Sequence, residues 1–455
     1  MKLTNNREDF DGFESLLSDI TRFSSLGIRP GLRRISRLLS LLGNPQDRIR
    51  AIQVLGTNGK GSAAATMEAL LRGGLKTALY TSPHLISLQE RLRVDGKYAP
   101  IENWRAAWSK ITDIVTGDAE LGSDRPSFFE HFTALCLMLM EEARVDIAIL
   151  EAGMGGRYDA TSVCNPAAVM INPIGMDHMQ YLGGTIEEIA GEKFAAARNG
   201  VPAFYTGDDE HLSSIFVEHC EKIGAIPRLL DSMARPEDIK CGLRGTKFSY
   251  ITENGGVGNV RGIMELETPL LGPHQAHNAS RAITVLLSLK DKFADFAFLT
   301  PDSIRESLAR TDWPGRMEIF SGGCGPPVML DGAHNEHAMR ALVSSISSMA
   351  ESGEHIKIGA AVLAIMGDKD IPPILSALRE LRCPIYCAGL PMERAARAEN
   401  LARMARAAGL EVKGYFDDPG EALDAAKRAA KPPELVLCCG SLYLVGFIRK
   451  ILKYR

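Results

Sequence analysis

A glycine-rich segment holds the residues of this sequence that are best suited to chemistry. It reads Gly56-Thr57-Asn58-Gly59-Lys60-Gly61-Ser62. Glycines let backbone N–H groups approach phosphate oxygens, the lysine adds a positive charge near the terminal phosphates, and the serine hydroxyl suits a magnesium ion. The spacing departs from the GxxxxGK[ST] pattern, so a plain strand-to-helix turn is the alternative. A lysine and a serine at this place favour a nucleotide phosphate site.

Polar residues also follow three apolar runs at the point where each run ends. Ser82 follows KTALYT, Glu151 ends VDIAILE, and His178 with Asp177 lies just beyond AAVMIN. In open α/β sheets ligands bind at the carboxyl ends of the strands, and a carboxylate there suits magnesium. The alternatives are a turn or helix-capping serine, a solvated acid and a structural histidine.

Further candidates are spread along the chain. They are Phe128 and Phe129, Lys193 in the helix-like segment TIEEIAGEKFAAARN, Asn278 with His274 and Gln275, and Arg316, Asp331 and His334. Each also has a structural explanation: core aromatics, an exposed lysine paired with Glu188 or Glu192, helix capping by Asn278, a surface salt bridge for Arg316 and a strand-end turn for Asp331. The nine cysteines show no spacing typical of a nucleophile or a metal site.

The elements that position these residues alternate between short apolar runs and helix-like stretches from about residue 49. The clearest strand is IRAIQVL, which ends at Leu55, and SAAATMEALLR after the glycine-rich turn has helical composition. The segments FSYIT and VRGIMELE, separated by ENGGVGN, predict a β-hairpin. The alternation predicts an α/β fold with parallel sheets covered by helices.

Pro301 and Pro314 interrupt the pattern, and a fresh strand-helix alternation follows them. We therefore predict two domains, residues 1–311 and residues 312–455. The second is expected to be a smaller α/β sheet built from VMLDGA, IKIGAAVLAI, PIYCAG, EVKGYF and ELVLCCGS with helices between them.

Bulk composition excludes several classes of protein. The chain has 455 residues, 45% of them hydrophobic and 24% charged, with a formal net charge of −4, so no overall basic field favours nucleic acid. An odd number of cysteines is unlike a secreted disulfide framework. The N-terminus lacks the apolar core of a signal peptide, and no apolar run reaches about 20 residues. We expect a soluble cytoplasmic protein with no membrane or nucleic-acid partner.

The wording of these motifs resembles the folylpolyglutamate synthase/dihydrofolate synthase family of the Mur ligase superfamily. Besides GTNGKGS, the resemblance rests on YTSPHL with Glu90-Arg91, SFFE (127–130), LEAGMGGRYDAT (150–161), Asp177-His178, IAGEK (189–193), HQ and NA (274–279), WPGR (313–316), DGAHN (331–335), GDKD (367–370) and CGS (439–441). These motifs occur along nearly the whole chain, in the same order as in the family.

The resemblance implies a two-domain Mur-ligase-like fold, in which a parallel-sheet ATPase domain with the phosphate loop precedes a smaller C-terminal Rossmann-like domain. It implies that ATP binds residues 56–62, Asn278, Arg316 and Asp331, the last two reaching across an interdomain cleft. It also implies two Mg²⁺ ions at Ser62, Ser82, Glu151, His178 and Lys193, with a carbamate on Lys193.

The reaction implied is ATP-dependent amide formation between L-glutamate and a folate or dihydropteroate through an acyl phosphate. Lys60, Lys193 and His334 are the expected catalytic residues, His334 acting on the incoming glutamate or the acyl phosphate. Ser82, His84, Arg91, Phe128 and Phe129 are expected at the folate, since a flat aromatic ligand favours aromatic walls. A monomer is expected from the resemblance alone.

Two departures from the family wording leave the acceptor open. Ser127 stands where threonine is common, and Phe194-Ala195 follows Lys193 where Ala-Gly-Ile is usual. The alternatives are a Mur-branch ligase acting on another carboxylic acid and a non-catalytic ATP-binding regulator. Only about 50 residues precede the phosphate loop, which argues against the extra N-terminal domain of the Mur branch, and the second α/β domain argues against the regulator.

Overall fold

The chain divides into two compact units. The computed structural model describes residues 10–253, 255–321, 325–351 and 356–454. The first unit comprises the described residues up to Arg235 together with Tyr250–Ile263 and Asn278–Leu308. The second comprises Pro236–Ser249, Met264–His277 and the described residues from Ala309 onward.

This division differs from the predicted one at residue 311, because two earlier segments belong to the second unit. The physical reason lies in the cores. Cys241 and Leu271 are buried in the same hydrophobic cluster as Met329 and Leu363 of the C-terminal sheet. A single boundary in the sequence cannot describe this arrangement, because residues 236–249 and 264–277 belong to the second unit although residues 278–308 belong to the first.

A seven-stranded sheet forms the centre of the first unit. Its strands are β1 (Ala51–Leu55), β2 (Thr77–Tyr80), β3 (Leu92–Val94), β4 (Ile147–Glu151), β5 (Ala168–Ile171), β6 (Pro202–Tyr205) and β7 (Ile226–Leu229). They lie in the order β3-β2-β4-β1-β5-β6-β7. All neighbours are parallel except β3, which pairs antiparallel with β2, so the sheet is mixed at this edge.

The register of the central strands brings their carboxyl ends together. Val54 of β1 is paired with Glu151 of β4, and Leu55 is paired with Ile171 of β5. These strands are buried along their whole length, as expected for parallel strands covered on both faces. The loops that follow β1, β4 and β5 therefore leave the sheet side by side.

Among the described residues, eleven α-helices lie wholly or partly in the first unit. They are α1 (Phe10–Phe23), α2 (Arg33–Leu41), α3 (Lys60–Leu71), α4 (Ile101–Gly117), α5 (Ala119–Ser123), α6 (Phe128–Ala143), α7 (Met179–Leu182), α8 (Ile186–Phe194), α9 (Glu210–Ile223), α10 (Pro273–Ser288) and α11 (Pro301–Leu308). Helix α3 is buried from Gly61 to Leu71, which its alanine content permits because small side chains allow close packing on every side.

In the part of the second unit that the structure describes, there is a six-stranded sheet, and five α-helices lie wholly within this part. The strands are β11 (Glu318–Phe320), β12 (Val328–Leu330), β13 (Ile358–Leu363), β14 (Ile385–Ala388), β15 (Val412–Phe416) and β16 (Leu435–Cys439), in the order β11-β12-β16-β13-β14-β15. The helices are α12 (Glu336–Glu351), α13 (Ile371–Leu378), α14 (Ala398–Ala407), α15 (Pro419–Ala429) and α16 (Leu442–Tyr454). Only β11 among these strands runs antiparallel to its neighbour. The predicted alternation after Pro314 is confirmed.

The predicted hairpin segments belong to a third sheet of three strands. These are β8 (Ala234–Gly242), β9 (Gly245–Thr252) and β10 (Gly262–Thr268), in the order β10-β9-β8. The FSYIT and VRGIMELE runs are therefore hydrogen-bonded neighbours, as predicted; Asn254 of the connecting segment lies outside the described residues.

Within the described ranges, every helix is too short or too polar to cross a bilayer.

Candidate active site

The glycine-rich segment forms the turn between β1 and α3. Gly56 has φ +133° and a Cβ there would meet the Cβ of Asn172 at 2.6 Å, so only glycine fits. Gly59 has φ +79°, and a Cβ there would lie 2.7 Å from Oδ1 of Asn278. The loop is braced by a hydrogen bond of 2.9 Å from the Thr57 amide to the Pro173 carbonyl. The amide side chain of Asn278, on α10, therefore lies directly over this turn.

Two lysines hydrogen-bond to the same loop. Lys60 Nζ donates to the carbonyl oxygens of Gly56 and Thr57, each at 3.2 Å. Lys193 Nζ donates to the Gly56 carbonyl at 3.0 Å. Two cationic side chains thus meet at one carbonyl, at the place where the phosphates of a nucleotide were predicted.

The alternative explanation of Lys193 as an exposed helix lysine is wrong. Lys193 is only 4% exposed to solvent. Glu188 forms a capping box with Thr185 at the start of α8, and Glu192 forms an ion pair of 2.8 Å with Arg157. Both acids that were considered as partners of Lys193 are therefore engaged elsewhere.

Burial gives Lys193 an unusual proton affinity. Desolvation, followed by repulsion from Lys60, lowers the pKa of the Lys193 amine to about 7, although Asp177 and Asp159 act in the opposite direction. The next residue, Phe194, explains the burial because its ring packs against Tyr205 and Phe216 in the core of the sheet. A substantial fraction of the amine is consequently neutral near pH 7.

Glu151 and Ser82, at the ends of neighbouring strands, are in contact. The Ser82 amide donates to Glu151 Oε2 at 3.2 Å, and Glu151 is only 5% exposed. The alternative of a solvated strand-end acid is therefore wrong for Glu151. Oxygen ligands of this kind suit magnesium.

An acid to which the motif analysis gave no role organises the loop after Glu151. The buried Asp159 carboxylate accepts hydrogen bonds from the amides of Gly153 at 2.9 Å and Met154 at 3.0 Å, and from the amide and hydroxyl of Thr161. Burial raises the pKa of Asp159, while these hydrogen bonds lower it. The sequence signal was present, since an aspartate two residues before a threonine is typical of an Asx turn.

His178 lies at the start of α7 in a left-handed conformation, with φ 53°. Its amide donates to Asp177 Oδ1 at 2.8 Å, and its ring Nε2 is 4.0 Å from Asp177 Oδ2. The His178 side chain is 37% exposed.

Within the described ranges, no group of three or more His, Cys, Asp or Glu residues is arranged to hold a metal ion. A magnesium site here would need hydroxyl or modified side chains as well. Ser62, in the first turn of α3, supplies such a hydroxyl. The hydroxyls of Ser62 and Ser82 and the carboxylate of Glu151 are hard oxygen donors, so the residues fit magnesium by their chemistry.

The residues predicted to bind folate are close together in the first unit. Arg91 Nε donates to His84 Nδ1 at 2.9 Å, and the Arg91 guanidinium lies 5.4 Å from the ring centroids of both Phe128 and Phe132. Phe128 stacks on Phe132 at 5.9 Å. Phe129 lies 6.2 Å from Tyr80, which ends β2 just before Ser82.

Phe128 and Phe129 are half-buried at the edge of the hydrophobic core. They therefore pack against the core, as their structural explanation requires, and remain partly exposed.

The segment between Ser82 and Arg91 is held by one carboxylate. Glu90 accepts hydrogen bonds from the amides of Leu85 at 2.7 Å, Ile86 at 3.2 Å and Ser87 at 3.2 Å. This arrangement fixes the backbone that carries His84.

His84 itself has a defined protonation state. Burial, followed by repulsion from Arg91, lowers the pKa of His84 to about 3. Because Nδ1 accepts from Arg91, the neutral ring carries its proton on Nε2 and can donate there. A cavity of about 300 Å³ opens beside this histidine; it is lined by Phe13, Glu14, Leu17, Ser18, His84, Ile86, Ser87 and Leu88.

Arg316, Asp331 and His334 surround one turn of the second unit. The buried Asp331 carboxylate accepts from the amides of Met317 at 2.9 Å and Ala333 at 2.8 Å. Burial raises the pKa of Asp331, and Arg316 opposes this shift. Asp331 therefore does fix a strand-end turn, as its structural explanation required.

The other two side chains lie against Gly332. Arg316 Nη1 donates to the Gly315 carbonyl at 3.0 Å and lies where a Cβ of Gly332 would be. His334 Nδ1 donates to the Gly332 carbonyl at 2.8 Å. A carbonyl oxygen only accepts, so the neutral ring of His334 keeps an unprotonated Nε2.

The eight cysteines in the described ranges are free thiols buried in the core. The ninth, Cys324, lies outside the described residues.

Family models match most of the chain. Residues 54–286 match the Mur ligase middle domain, and residues 315–442 match the glutamate ligase domain of Mur ligases. The phosphate loop, Glu151, Lys193 and Asn278 lie within the first match, and Arg316, Asp331 and His334 lie within the second.

Whole proteins of similar length are also similar. The dihydrofolate synthase/folylpolyglutamate synthase of Bacillus subtilis is 31% identical over 98% of this chain and 100% of the relative. The structure of Escherichia coli FolC in complex with DHPP and ADP is 29% identical, with a TM-score of 0.83 over 97% of each chain. The structure of the bifunctional folylpolyglutamate synthase/dihydrofolate synthase of Yersinia pestis, complexed with AMPPNP and a manganese ion, is 28% identical, with a TM-score of 0.81 over 97% of this chain and 98% of that one.

Proposed function

Because this chain belongs to the folylpolyglutamate synthase/dihydrofolate synthase family of Mur ligases, we propose that it joins L-glutamate to a folate or dihydropteroate in an ATP-dependent reaction. The observation that carries the proposal is the convergence of Lys60, Lys193 and Asn278 on one glycine-rich loop. Such a loop at the start of a helix suits the phosphates of ATP.

The proposed reaction has two steps. A carboxylate oxygen of the acceptor attacks the γ-phosphorus of ATP, and the bond from this phosphorus to the β-phosphate oxygen breaks. The products are ADP and an acyl phosphate. The amine of glutamate then attacks the acyl carbon, loses a proton and displaces phosphate to form the amide. Phosphoryl transfer needs positioning and charge neutralisation more than covalent chemistry from the protein.

In the first step, residues 56–62 would hold the phosphates through their amides, with Lys60 as a positive charge beside them. Nucleotide binding would draw Lys60 from its hydrogen bonds to the Gly56 and Thr57 carbonyls toward the phosphates. Asn278, over Gly59, would contact the nucleotide.

Ser62, Ser82, Glu151, His178 and a modified Lys193 would hold two magnesium ions. When bound, magnesium supplies neutralisation of phosphate charge. The contact between Ser82 and Glu151 supports this assignment, since it keeps a buried carboxylate at the strand ends next to the phosphate loop.

Lys193 would act as a carbamate. Its neutral amine attacks carbon dioxide, the C–N bond forms as one C=O π bond breaks, and one proton is released, which converts the neutral amine into an anion; from the ammonium form two protons are lost in all. The pKa of about 7 supports this step because only the neutral amine is a nucleophile. An ammonium group would instead repel a metal ion.

The acceptor would bind near Ser82, His84, Arg91, Phe128 and Phe129. The two phenylalanines present flat apolar surface, and Arg91 adds positive charge close to it. His84 would donate a hydrogen bond from Nε2 at any pH well above 3.

Arg316, Asp331 and His334 would serve the reaction from the second unit. Arg316 would contact the ATP phosphates and Asp331 the nucleotide. His334 would act on the second step, because its unprotonated Nε2 can accept the proton that the attacking amine loses. In this proposal the first unit binds ATP and folate, and the second unit, which includes residues 236–249 and 264–277, is the ligase domain of a cytoplasmic monomer.

Two alternatives remain distinguishable from this function. If the chain were a Mur ligase for another carboxylic acid, the phosphate loop would have the same role, and the residues around Phe128 would bind that acid instead of folate. A non-catalytic ATP-binding regulator would bind nucleotide and release no phosphate. The second α/β domain and the set of Glu151, His178 and Lys193 favour catalysis over regulation.

The test is ATP-dependent incorporation of labelled glutamate, with dihydropteroate and tetrahydrofolate as alternative acceptors. Incorporation with either acceptor is expected. Phosphate release with a different acid would identify the first alternative. Nucleotide binding without phosphate release for every acid and amine would identify the second.

A further inference from the structure

We infer that a partly buried ion pair between Arg281 and Asp231 positions Asn278 over the phosphate loop. Arg281 is therefore a positioning residue for nucleotide binding. The inference rests on the proposed function, because Asn278 contacts the nucleotide only in that proposal. It adds two residues that neither the motifs nor the proposed site include.

The pair has the geometry of a strong interaction. Arg281 Nε donates to Asp231 Oδ1 at 2.9 Å, and Nη2 donates to Oδ2 at 2.7 Å, so the contact is bidentate. The side chains of Arg281 and Asp231 are 9% and 32% exposed. Because the Arg281 side chain is buried and the contact is bidentate, this pair holds its geometry better than an ion pair between two exposed side chains.

Asp231 is itself fixed to the central sheet. It lies in a short 3₁₀ helix that follows β7, and its amide donates to the Thr206 carbonyl, just beyond β6, at 2.9 Å. The preceding residue, Leu230, is fully buried. The carboxylate that receives Arg281 is thus anchored to the same sheet whose strand β1 leads into the phosphate loop.

Because Arg281 and Asn278 lie on the same helix, α10, the ion pair that fixes Arg281 also restrains Asn278. The two residues are three positions apart, so they lie on neighbouring parts of one helix face. The Asn278 amide lies close to Gly59, since its Oδ1 would be only 2.7 Å from a Cβ at that position. A rotation or outward shift of α10 would withdraw the Asn278 amide from the loop, and the ion pair opposes such a movement.

A second contact on α10 does not replace the pair. Thr284 receives or donates a hydrogen bond of 3.1 Å with Tyr250 Oη. Thr284 is almost two turns beyond Asn278, so this contact holds the later part of the helix. The ion pair is the nearer of these two restraints to the nucleotide.

The experiment compares Arg281→Met and Asp231→Asn with the unchanged enzyme. Misplacing a binding group by about 1 Å can cost up to about 100-fold, so we expect roughly a tenfold rise in the Kd for ADP and in the KM for ATP. The KM for the folate acceptor and kcat at saturating ATP should change less than about twofold. Arg281→Lys should restore part of the nucleotide affinity, because it keeps the charge and loses the bidentate contact.

Arg305→Met is the matched control. Arg305 also pairs with an aspartate in the first unit, but the side chains of Arg305 and Asp302 are 41% and 91% exposed. Nucleotide affinity should not change in this variant. Melting temperatures of all variants show whether a general loss of stability accompanies the loss of affinity.

The double variant Asn278→Ala/Arg281→Met separates this inference from the proposed function. If Arg281 acts through Asn278, the Arg281 substitution should weaken ADP binding much less once Asn278 is absent. If Asn278→Ala weakens ADP binding and neither Arg281→Met nor Asp231→Asn does, the inference is wrong. If Asn278→Ala itself leaves ADP binding unchanged, the assignment of Asn278 to the nucleotide fails first.

An equal rise in the KM values of ATP and folate would also overturn the inference, since it would indicate a general structural role. Should Arg281→Met fail to fold, Asp231→Asn decides alone, because asparagine keeps the shape and one hydrogen-bond acceptor.

Discussion

Lys193 Nζ lies 3.0 Å from the carbonyl oxygen of Gly56, the first residue of the phosphate loop. Lys60 donates to the same oxygen from the opposite end of that loop. A change of charge on Lys193 would therefore alter the electrostatic potential at the residues that we propose to bind phosphate. Helix α8 and the loop after β1 form one electrostatic unit, although 137 positions separate them in the sequence.

Replacing Lys193 with alanine should abolish glutamate incorporation, and short-chain carboxylic acids should restore part of it. The reason is that the proposed carbamate supplies negative charge, which an added carboxylate can supply in the space left by the lysine. Initial rates with and without formate or acetate measure the rescue. Normal activity of Lys193→Ala without any addition would refute the carbamate.

Carbamate formation should also depend on pH. With a pKa of about 7, the neutral fraction of the Lys193 amine is about a tenth at one pH unit below this value and about nine tenths at one unit above it. Enzyme depleted of carbon dioxide should therefore regain activity on addition of bicarbonate more completely at pH 8 than at pH 6. Equal recovery at both values would contradict the role of the neutral amine.

Lys60→Ala should abolish turnover while the protein stays folded. Its ammonium group makes two hydrogen bonds to loop carbonyls, and their loss should lower the free energy of unfolding by about 1 to 3 kcal/mol. Phosphate release measures turnover, and circular dichroism checks the fold. A folded variant with normal turnover would remove this loop from the catalytic site.

Glu151→Gln should reduce activity steeply, and high magnesium concentrations should restore part of it. Glutamine keeps the shape of the side chain and an oxygen to accept from the Ser82 amide, but it loses the charge that attracts the metal. The measurement is the magnesium concentration that gives half-maximal rate. An unchanged magnesium dependence would mean that Glu151 is not a ligand.

His334→Ala should impair the glutamate-dependent step more than acyl-phosphate formation. The unprotonated Nε2 is suited to take a proton from the amine, and this proton is lost only in the second step. Isotope exchange or rapid-quench detection of the acyl phosphate separates the two steps. Equal losses in both would indicate a general structural or electrostatic role.

Asp331→Ala should raise the ATP concentration required for half-maximal rate more than the folate concentration. The substitution should also lower the free energy of unfolding, because the Met317 and Ala333 amides lose their acceptor. Each buried group left without a partner costs about 1 to 3 kcal/mol. Steady-state kinetics and thermal melting measure the two effects separately. A changed folate requirement with unchanged ATP dependence would contradict the assignment.

The sequence predicted the alternation of strands and helices and the glycine-rich turn well, because these depend on local pattern. Leu55 does end β1, and the chain after Pro314 does form a second sheet. The same local pattern could not reveal β3 and β11, which run antiparallel at sheet edges and are only three residues long. Edge direction is set by pairing between distant segments rather than by composition.

Burial was the main property that the sequence could not supply. The sequence left Lys193 open between a carbamate site and an exposed lysine beside two glutamates, and only the structure shows that it is buried against a carbonyl. The pairing of Arg281 with Asp231 joins residues 50 positions apart and has no local signature. Asp159 had a local signature, but its four hydrogen bonds depend on the path of the loop after Glu151.

The carboxylate of Glu90 accepts hydrogen bonds from the amides of Leu85, Ile86 and Ser87, so a single side chain orders the whole segment. Three amide protons held by one acceptor are released by one opening event rather than by three. In hydrogen–deuterium exchange such amides share a single opening free energy, and the segment behaves as one cooperative unit. The backbone that carries His84 is thus either fully in place or fully open.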